Sequence, residues 1–168
     1  GKSLENRLGS AKVGDSKLPL AVVATDIASG RKVVLGDCAV SQAVMASTAV
    51  PGIFAPVEID DQMLVDGGLV ENVPISPLQE LGADLVIGVD LGAHRSFQKP
   101  DDIVGVLINS IDIAIDNATR LQTSKADIVI SPELSAYSRT DSTQIGELID
   151  EGHKATCTAI NHSDLCLT

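Results

Sequence analysis

Asp66 is the residue whose neighbours best suit it to chemistry. It ends the short apolar run Met63-Leu64-Val65 and is followed at once by Gly67 and Gly68. A carboxylate at the end of a strand stands at an edge that a substrate can reach, and two glycines let the backbone bend sharply beside it. Asp-Gly and Gly-Gly pairs are also common in plain tight turns, so the triplet alone leaves both readings open. Asp26 and Asp90 close two other apolar runs and are further carboxylates that could face a site.

Other constellations are weaker. His94 follows Asp90-Leu91-Gly92 and could in principle join Asp90 and a serine in a triad. A polar loop explains it as well, and His153 and His162 fit a helix and the tail. Asp60-Asp61 reads as a turn pair and Asp101-Asp102 as a helix start, where negative charge suits the dipole. Neither has a spaced third ligand, so no metal is expected. Cys38, Cys157 and Cys166 are odd in number and far apart. They match neither a disulfide framework nor a zinc site, and a reducing cytoplasm is the expected compartment. Cys38 is expected to be a buried small hydrophobe rather than a nucleophile.

The chain of 168 residues is 44% hydrophobic, enough for one domain with a core. With one Tyr, two Phe and no Trp, that core must come from Val, Ile, Leu and Ala. Small branched side chains of this kind pack between helices and a sheet in α/β layers. A net charge of −11 argues against nucleic acid, whose phosphates demand a basic face. The chain has no polybasic cluster for anionic lipid either, and solubility accounts for the acidity. No apolar run approaches the ~20 residues needed to cross a bilayer. The start lacks the apolar core of a secretory signal, and its lack of an initiator Met fits an excised piece.

The elements that must position Asp66 follow from the spacing. Residues 1–17 are polar and read as linker. Leu18 to Asp26 is an apolar run that predicts a strand buried on both faces, and Arg31 to Gly36 returns from the Ala28-Ser29-Gly30 turn as a second strand. Asp37 is expected to cap a helix that sets Val40, Ala43, Val44 and Ser47 on one face and ends at Pro51-Gly52. Residues 56–59 and 63–66 flank Asp60-Asp61-Gln62 as a short hairpin. Ser76-Pro77-Leu78-Gln79 reads as a capping box, and Gly82 closes that helix. Residues 84–91 form the clearest buried strand. A long helix over 101–125 should bury Ile103, Leu107, Ile111, Ala114, Ala118 and Leu121, with a strand at 127–132 and a helix at 145–160 after it. The alternation predicts a three-layer α/β/α fold whose sheet is mostly parallel, with an inserted hairpin.

The stretch Ala46-Ser47-Thr48-Ala49-Val50-Pro51-Gly52-Ile53-Phe54-Ala55-Pro56-Val57, then Val65-Asp66-Gly67-Gly68-Leu69-Val70-Glu71-Asn72-Val73-Pro74, resembles the C-terminal signature of patatin-like phospholipases. The likeness begins at Leu20–Asp26 and Gly30–Val34 and runs on through Glu80–Asp90, in the family's order. It implies a serine hydrolase with a Ser–Asp dyad, no histidine and no cofactor. In such a site the serine attacks an ester carbonyl and Asp66 is the base that activates it. An ordinary aspartate, with a pKa of about 3.9, is a poor base, so partial desolvation by Leu64, Val65, Leu69 and Val70 should raise it. Gly67 and Gly68 would keep side chains clear of the serine, and Asn72 is expected to tie the loop to the next helix.

The family's N-terminal half carries a glycine-rich oxyanion loop and a Gly-x-Ser-x-Gly elbow. No serine here is flanked that way; Gly9-Ser10-Ala11 lacks the second half of the elbow. The expectation is therefore a linker or tail over 1–17 and the C-terminal part of a patatin-like domain over 18–168. This part would contribute the base and be inactive alone, since losing one oxyanion donor typically costs ~10²–10³ in turnover. The expected partners are a lipid or acyl-ester substrate, the missing N-terminal half and transient contact with a membrane surface. An exposed sheet edge is expected to self-pair into a homodimer. The rival reading is a non-catalytic binding or regulatory module that keeps the fold.

Overall fold

A computed structural model of the chain describes residues 2–137 and 142–163. Cys166 lies outside them. In chain order the elements are α1 (Lys2–Leu8), β1 (Val22–Asp26), β2 (Arg31–Leu35), α2 (Val40–Ser47), β3 (Val57–Ile59) and β4 (Gln62–Asp66). They continue with α3 (Gly68–Glu71), α4 (Ser76–Glu80), β5 (Ile87–Val89), α5 (Ile103–Thr123), β6 (Ile128–Ile130) and α6 (Ile145–His162).

The fold is mixed α/β, but its main sheet is antiparallel, which corrects the expectation of a mostly parallel one. Four strands lie in the order β2-β1-β4-β3, and every neighbouring pair runs antiparallel. The connections explain this. β1 turns into β2 within residues 27–30, and β3 turns into β4 through Asp60-Asp61 alone. Such links are far too short for the crossover that a parallel pair needs. Asp60 and Asp61 both take positive φ, 48° and 62°, as a two-residue hairpin turn of primed type requires. Among the described residues only β5 and β6 pair in parallel, in a separate two-stranded sheet, and α5 is the helix between them.

The core gathers on the antiparallel sheet. Val13, Ala24, Leu35, Ala43, Ala46 and Leu64 are all buried in one cluster, where α2 covers β1 and β4. Val13 belongs to the stretch read as linker. It is only 1% exposed, and the neighbouring Lys12 bridges to Ala39, so an apolar side chain and a backbone ladder tie that stretch down. A second cluster joins Val73, Ile75 and Val86 under the parallel pair. Cys38 is half-buried beside the first cluster, and burial pushes its thiol up.

Several local expectations give way to tertiary contacts. Ala39, not Asp37, precedes α2, with no side-chain cap. Ile75, not Ser76, is the N-cap of α4, because Glu71 already engages both the Ser76 hydroxyl and its N–H. The strand over 84–91 is short, and Ile87 and Val89 are exposed while Gly88 is buried. In α5 the predicted apolar stripe lies largely at the surface, with Ile103, Leu107 and Leu121 exposed and Thr119 buried. The side of α5 that packs inward is mixed, with Ile111 and Ile115 beside Asp112, Asp116 and Thr119, and α3 after β4 lies against it.

Candidate active site

Asp66 is the last residue of β4 and sits opposite Ala24 of the central strand β1. Its backbone is held from two sides. Its N–H donates to the Ala49 carbonyl beyond α2 (3.0 Å), and the Thr25 hydroxyl donates to its carbonyl (2.8 Å). Thr25 is buried, so this bond forms away from competing water. The segment from Ala46 to Ala49 therefore does more than end a helix: its carbonyls receive the start of the Asp-Gly-Gly loop, Ser47 taking the Gly67 N–H.

Gly67 is required for space rather than for turn geometry. Its φ is −68°, open to any residue, but a Cβ there would stand 2.2 Å from the Val23 carbonyl oxygen in β1. The loop can press against the sheet only because this position lacks a side chain. Gly68 opens α3, and its N–H donates to Asp66 Oδ1 at 2.7 Å. A Cβ on Gly68 would meet that same oxygen at 3.0 Å.

Asn72 follows α3 and reaches past α4 to α5. Its Nδ2 donates to Thr119 Oγ1 (3.1 Å), and its backbone N–H donates to Gln122 Oε1 (3.0 Å). Gln122 Nε2 in turn donates to the Val70 carbonyl (3.0 Å). The helix that receives Asn72 is thus the long one, not the next in sequence. On the opposite flank, Lys32 of β2 pairs with Glu71 Oε2 at 3.0 Å and also donates to Ser76 Oγ. The loop after Asp66 is consequently pinned from two sides at Glu71 and Asn72.

The surroundings of Asp66 raise its proton affinity. Burial pushes its carboxyl above the usual aspartate range, the Gly68 N–H draws it back, and the charge of Asp112 on α5 pushes it up again. Asp112 and Asp116, one turn apart on the inward side of α5, hold Arg95. Its Nη1 lies 2.9 Å from Asp112 Oδ1 and 3.5 Å from Asp116 Oδ1. That nitrogen is buried without hydrogen-bond geometry, so the contact is an ion pair lying off the N–H direction.

The other carboxylates separate by place. Asp26 ends β1 opposite Leu64, two residues along the ladder from the Ala24–Asp66 pair. It binds the Ser29 hydroxyl and the Ala28 N–H and so builds the β1–β2 turn. Asp90 is buried at the end of β5, accepts from the Gly92 N–H and lies on the Arg95 side of α5. His94 pairs with Glu133 (3.5 Å) rather than with Asp90. Among the described residues no group of three or more His, Cys, Asp or Glu side chains could hold a metal ion. No helix among them is long and apolar enough to cross a membrane.

Sequence reasoning singled out Asp66, Gly67, Gly68 and Asn72. It missed Thr25, Arg95, Asp112, Thr119 and Gln122. The one available signal was Asp112, Asp116, Thr119 and Thr123 recurring at steps of three and four on α5. Such a polar stripe ordinarily reads as the solvated face.

Comparison with known proteins bears on the same segment. The profile of the patatin-like phospholipase family matches residues 2–78, which span α1 to the start of α4 and include the Asp-Gly-Gly loop. An uncharacterized NTE family protein of Mycobacterium bovis is 36% identical over 89 residues, covering 53% of this chain and 25% of that protein. A second such protein of the same organism is 26% identical over 163 residues, covering 82% of this chain and 28% of that protein. Lysophospholipase NTE1 of Pyricularia oryzae is 29% identical over 85 residues, covering 51% of this chain and 6% of that protein. The chain spans about a quarter of the length of the two mycobacterial relatives. The profile falls on the residues that clamp Asp66, and with these relatives it supports assigning the chain to the patatin-like phospholipase family.

Proposed function

We propose that this chain contributes the general base of a lipid acyl hydrolase, with Asp66 taking the proton from a serine that attacks an ester carbonyl. The observation that carries the reading is the half-buried Asp66 carboxyl at the end of β4. It is oriented by the Gly68 N–H, its proton affinity is raised by burial, and it lies within the family-matched segment. A base must sit within about 2.6–3.2 Å of the hydroxyl it deprotonates, and a raised pKa improves it for that task. The substrate class is an acyl ester of a lipid, phospholipid or lysophospholipid. No cofactor enters the step. Because no Gly-x-Ser-x-Gly occurs in the 168 residues, the nucleophile and oxyanion donors must come from outside them, and these residues alone are expected to be inactive.

The same missing motif favours a second reading, a binding or regulatory module that keeps the fold without the chemistry. One experiment separates the two. The intact gene product is treated with a fluorophosphonate, and the modified residue is located by peptide mass spectrometry. A labelled serine in the wild type, with labelling lost in Asp66→Asn, supports the hydrolase. A folded product that takes no label supports the module.

A further inference from the structure

We propose that Gln122 of α5 is a positioning residue for Asp66: its side-chain amide brackets the end of α3, the single helical turn whose first N–H holds the Asp66 carboxyl. The role rests on Asp66 acting as the base, as argued above, and it falls on a residue beyond the family-matched segment 2–78.

The contacts run without a break from Gln122 to the carboxyl. At the start of α3 the Gly68 N–H donates to Asp66 Oδ1 at 2.7 Å. α3 is only four residues long, and the Val70 and Glu71 N–H groups close its turn on the Gly67 carbonyl at 3.1 and 2.9 Å. A lone helical turn fixes many dihedral angles for few bonds and leaves its last carbonyls without partners inside it, so it needs support from outside. Gln122 supplies that support at the far end. Its Nε2 donates to the Val70 carbonyl and its Oε1 accepts from the Asn72 N–H, each at 3.0 Å. One planar amide thus grips the backbone on both sides of Glu71. The grip needs a donor and an acceptor side by side, which a carboxamide offers and a carboxylate or an ammonium does not.

The facing surface of α5 fits the same contact. Ile115, Thr119 and Gln122 recur at steps of four and three, which sets them on one face of the helix. Ile115 faces Gly68, the buried Thr119 accepts from Asn72 Nδ2 at 3.1 Å, and Gln122 closes the row. Asp66 is fixed at its backbone by β1, Thr25 and Ala49, while Gly68 orients its carboxyl. A shift of α3 therefore moves the donor on the carboxyl and not the strand that carries it. Proton transfer needs hydrogen-bond distance, so such a shift acts on the chemical step before it acts on the fold.

The test reads the Gly68 amide by NMR and the kinetics together, on the intact gene product. Gln122→Met keeps the length of the side chain and removes both bonds, and Gln122→Glu keeps the acceptor and removes the donor. Asp102→Ala serves as the control, loosening the other end of α5, where Asp102 accepts from the Gly105 N–H. In Gln122→Met the Gly68 amide resonance should move upfield and its hydrogen should exchange faster. There kcat for an acyl ester should fall about three- to ten-fold with KM unchanged, because a placement needed in the transition state is lost while substrate binding is not. Gln122→Glu should lie between that variant and wild type. Asp102→Ala should lose stability but keep the Gly68 resonance and kcat. A Gly68 resonance that stays in place in both Gln122 variants overturns the proposal, as does an unchanged kcat where the wild type is active. So does an equal fall in kcat in Asp102→Ala, which a merely structural role would produce. If the resonance moves only in the Gln122 variants but even wild type hydrolyses no ester, the positioning of the carboxyl stands and the hydrolase reading falls.

Discussion

Gly67 lies so close to Val23 that a Cβ on it would stand 2.2 Å from the Val23 carbonyl oxygen. That oxygen belongs to the central strand of the sheet, bonded on both sides, so it cannot move away as a flexible side chain would. Gly67→Ala should therefore destabilise the protein by about 3 kcal/mol, the upper end of the usual cost of overpacking. It should also displace Asp66 from its place against β1. Urea unfolding measures the first effect, and ester hydrolysis by the folded fraction measures the second.

Asp66→Asn should lower kcat by at least ~10²-fold while leaving the fold intact, because the amide keeps an oxygen for the Gly68 N–H but cannot accept a proton. The stability change has a definite sign. The folded-state pKa of Asp66 is raised, chiefly by burial, so the folded protein binds that proton more tightly than the unfolded chain does. Its contribution to stability is complete at acid pH and is lost as pH rises through the raised pKa. At neutral pH the charged form is a cost. The Asn variant should therefore melt no lower than wild type at pH 7, and a clear drop in melting temperature would contradict this.

Glu71 shows the opposite linkage. Burial alone would raise its carboxyl, but the hydroxyl and N–H of Ser76 and the ammonium of Lys32 outweigh it and hold the group below the usual glutamate range. Stability from this trio is present above the ordinary glutamate pKa of about 4.3 and is lost as pH falls through the depressed folded value. Melting curves taken between neutral and acid pH should show a loss that is smaller in Glu71→Gln than in wild type. Lys32→Met should cost about 1 kcal/mol at neutral pH, since Glu71 keeps its two bonds from Ser76 but loses its cation.

Asn72→Ala removes the side-chain bond to Thr119, while the backbone bond to Gln122 remains. Thr119 still donates to the Ile115 carbonyl, so no buried donor is stranded, and the cost should be about 1 kcal/mol. Because the loop stays pinned by Lys32 and Glu71 on its other flank, kcat/KM should fall less than in Gly67→Ala. Denaturation midpoints and steady-state kinetics on the pair of variants check the order.

Much of the local structure could be read from the chain alone. The hairpin through Asp60-Asp61, the strand ending at Asp66 and the long helix after Asp102 follow from alternation, turn residues and capping, all of which act over a few residues. Asp66, Gly67, Gly68 and Asn72 stood out for the same reason, as a carboxylate and its turn at the end of an apolar run. Strand direction in the main sheet, the burial of Val13 and the inward turn of polar residues on α5 did not follow. Ala24 lies opposite Asp66, Val13 is tied to Cys38 and Asn72 to Thr119, and local pattern carries no record of such distant meetings. Periodicity marked Ile103, Leu107 and Leu121 as the buried stripe because apolar surface usually seeks the core. Instead Asn72, Thr119 and Gln122 bond one another where α5 meets the loop, and matched polar groups can occupy an interface as well as apolar ones. The sequence by itself determined the base candidate and the glycines beside it. Only the tertiary structure decided which distant charges surround that carboxylate, because electrostatic contact depends on distance in space and not along the chain.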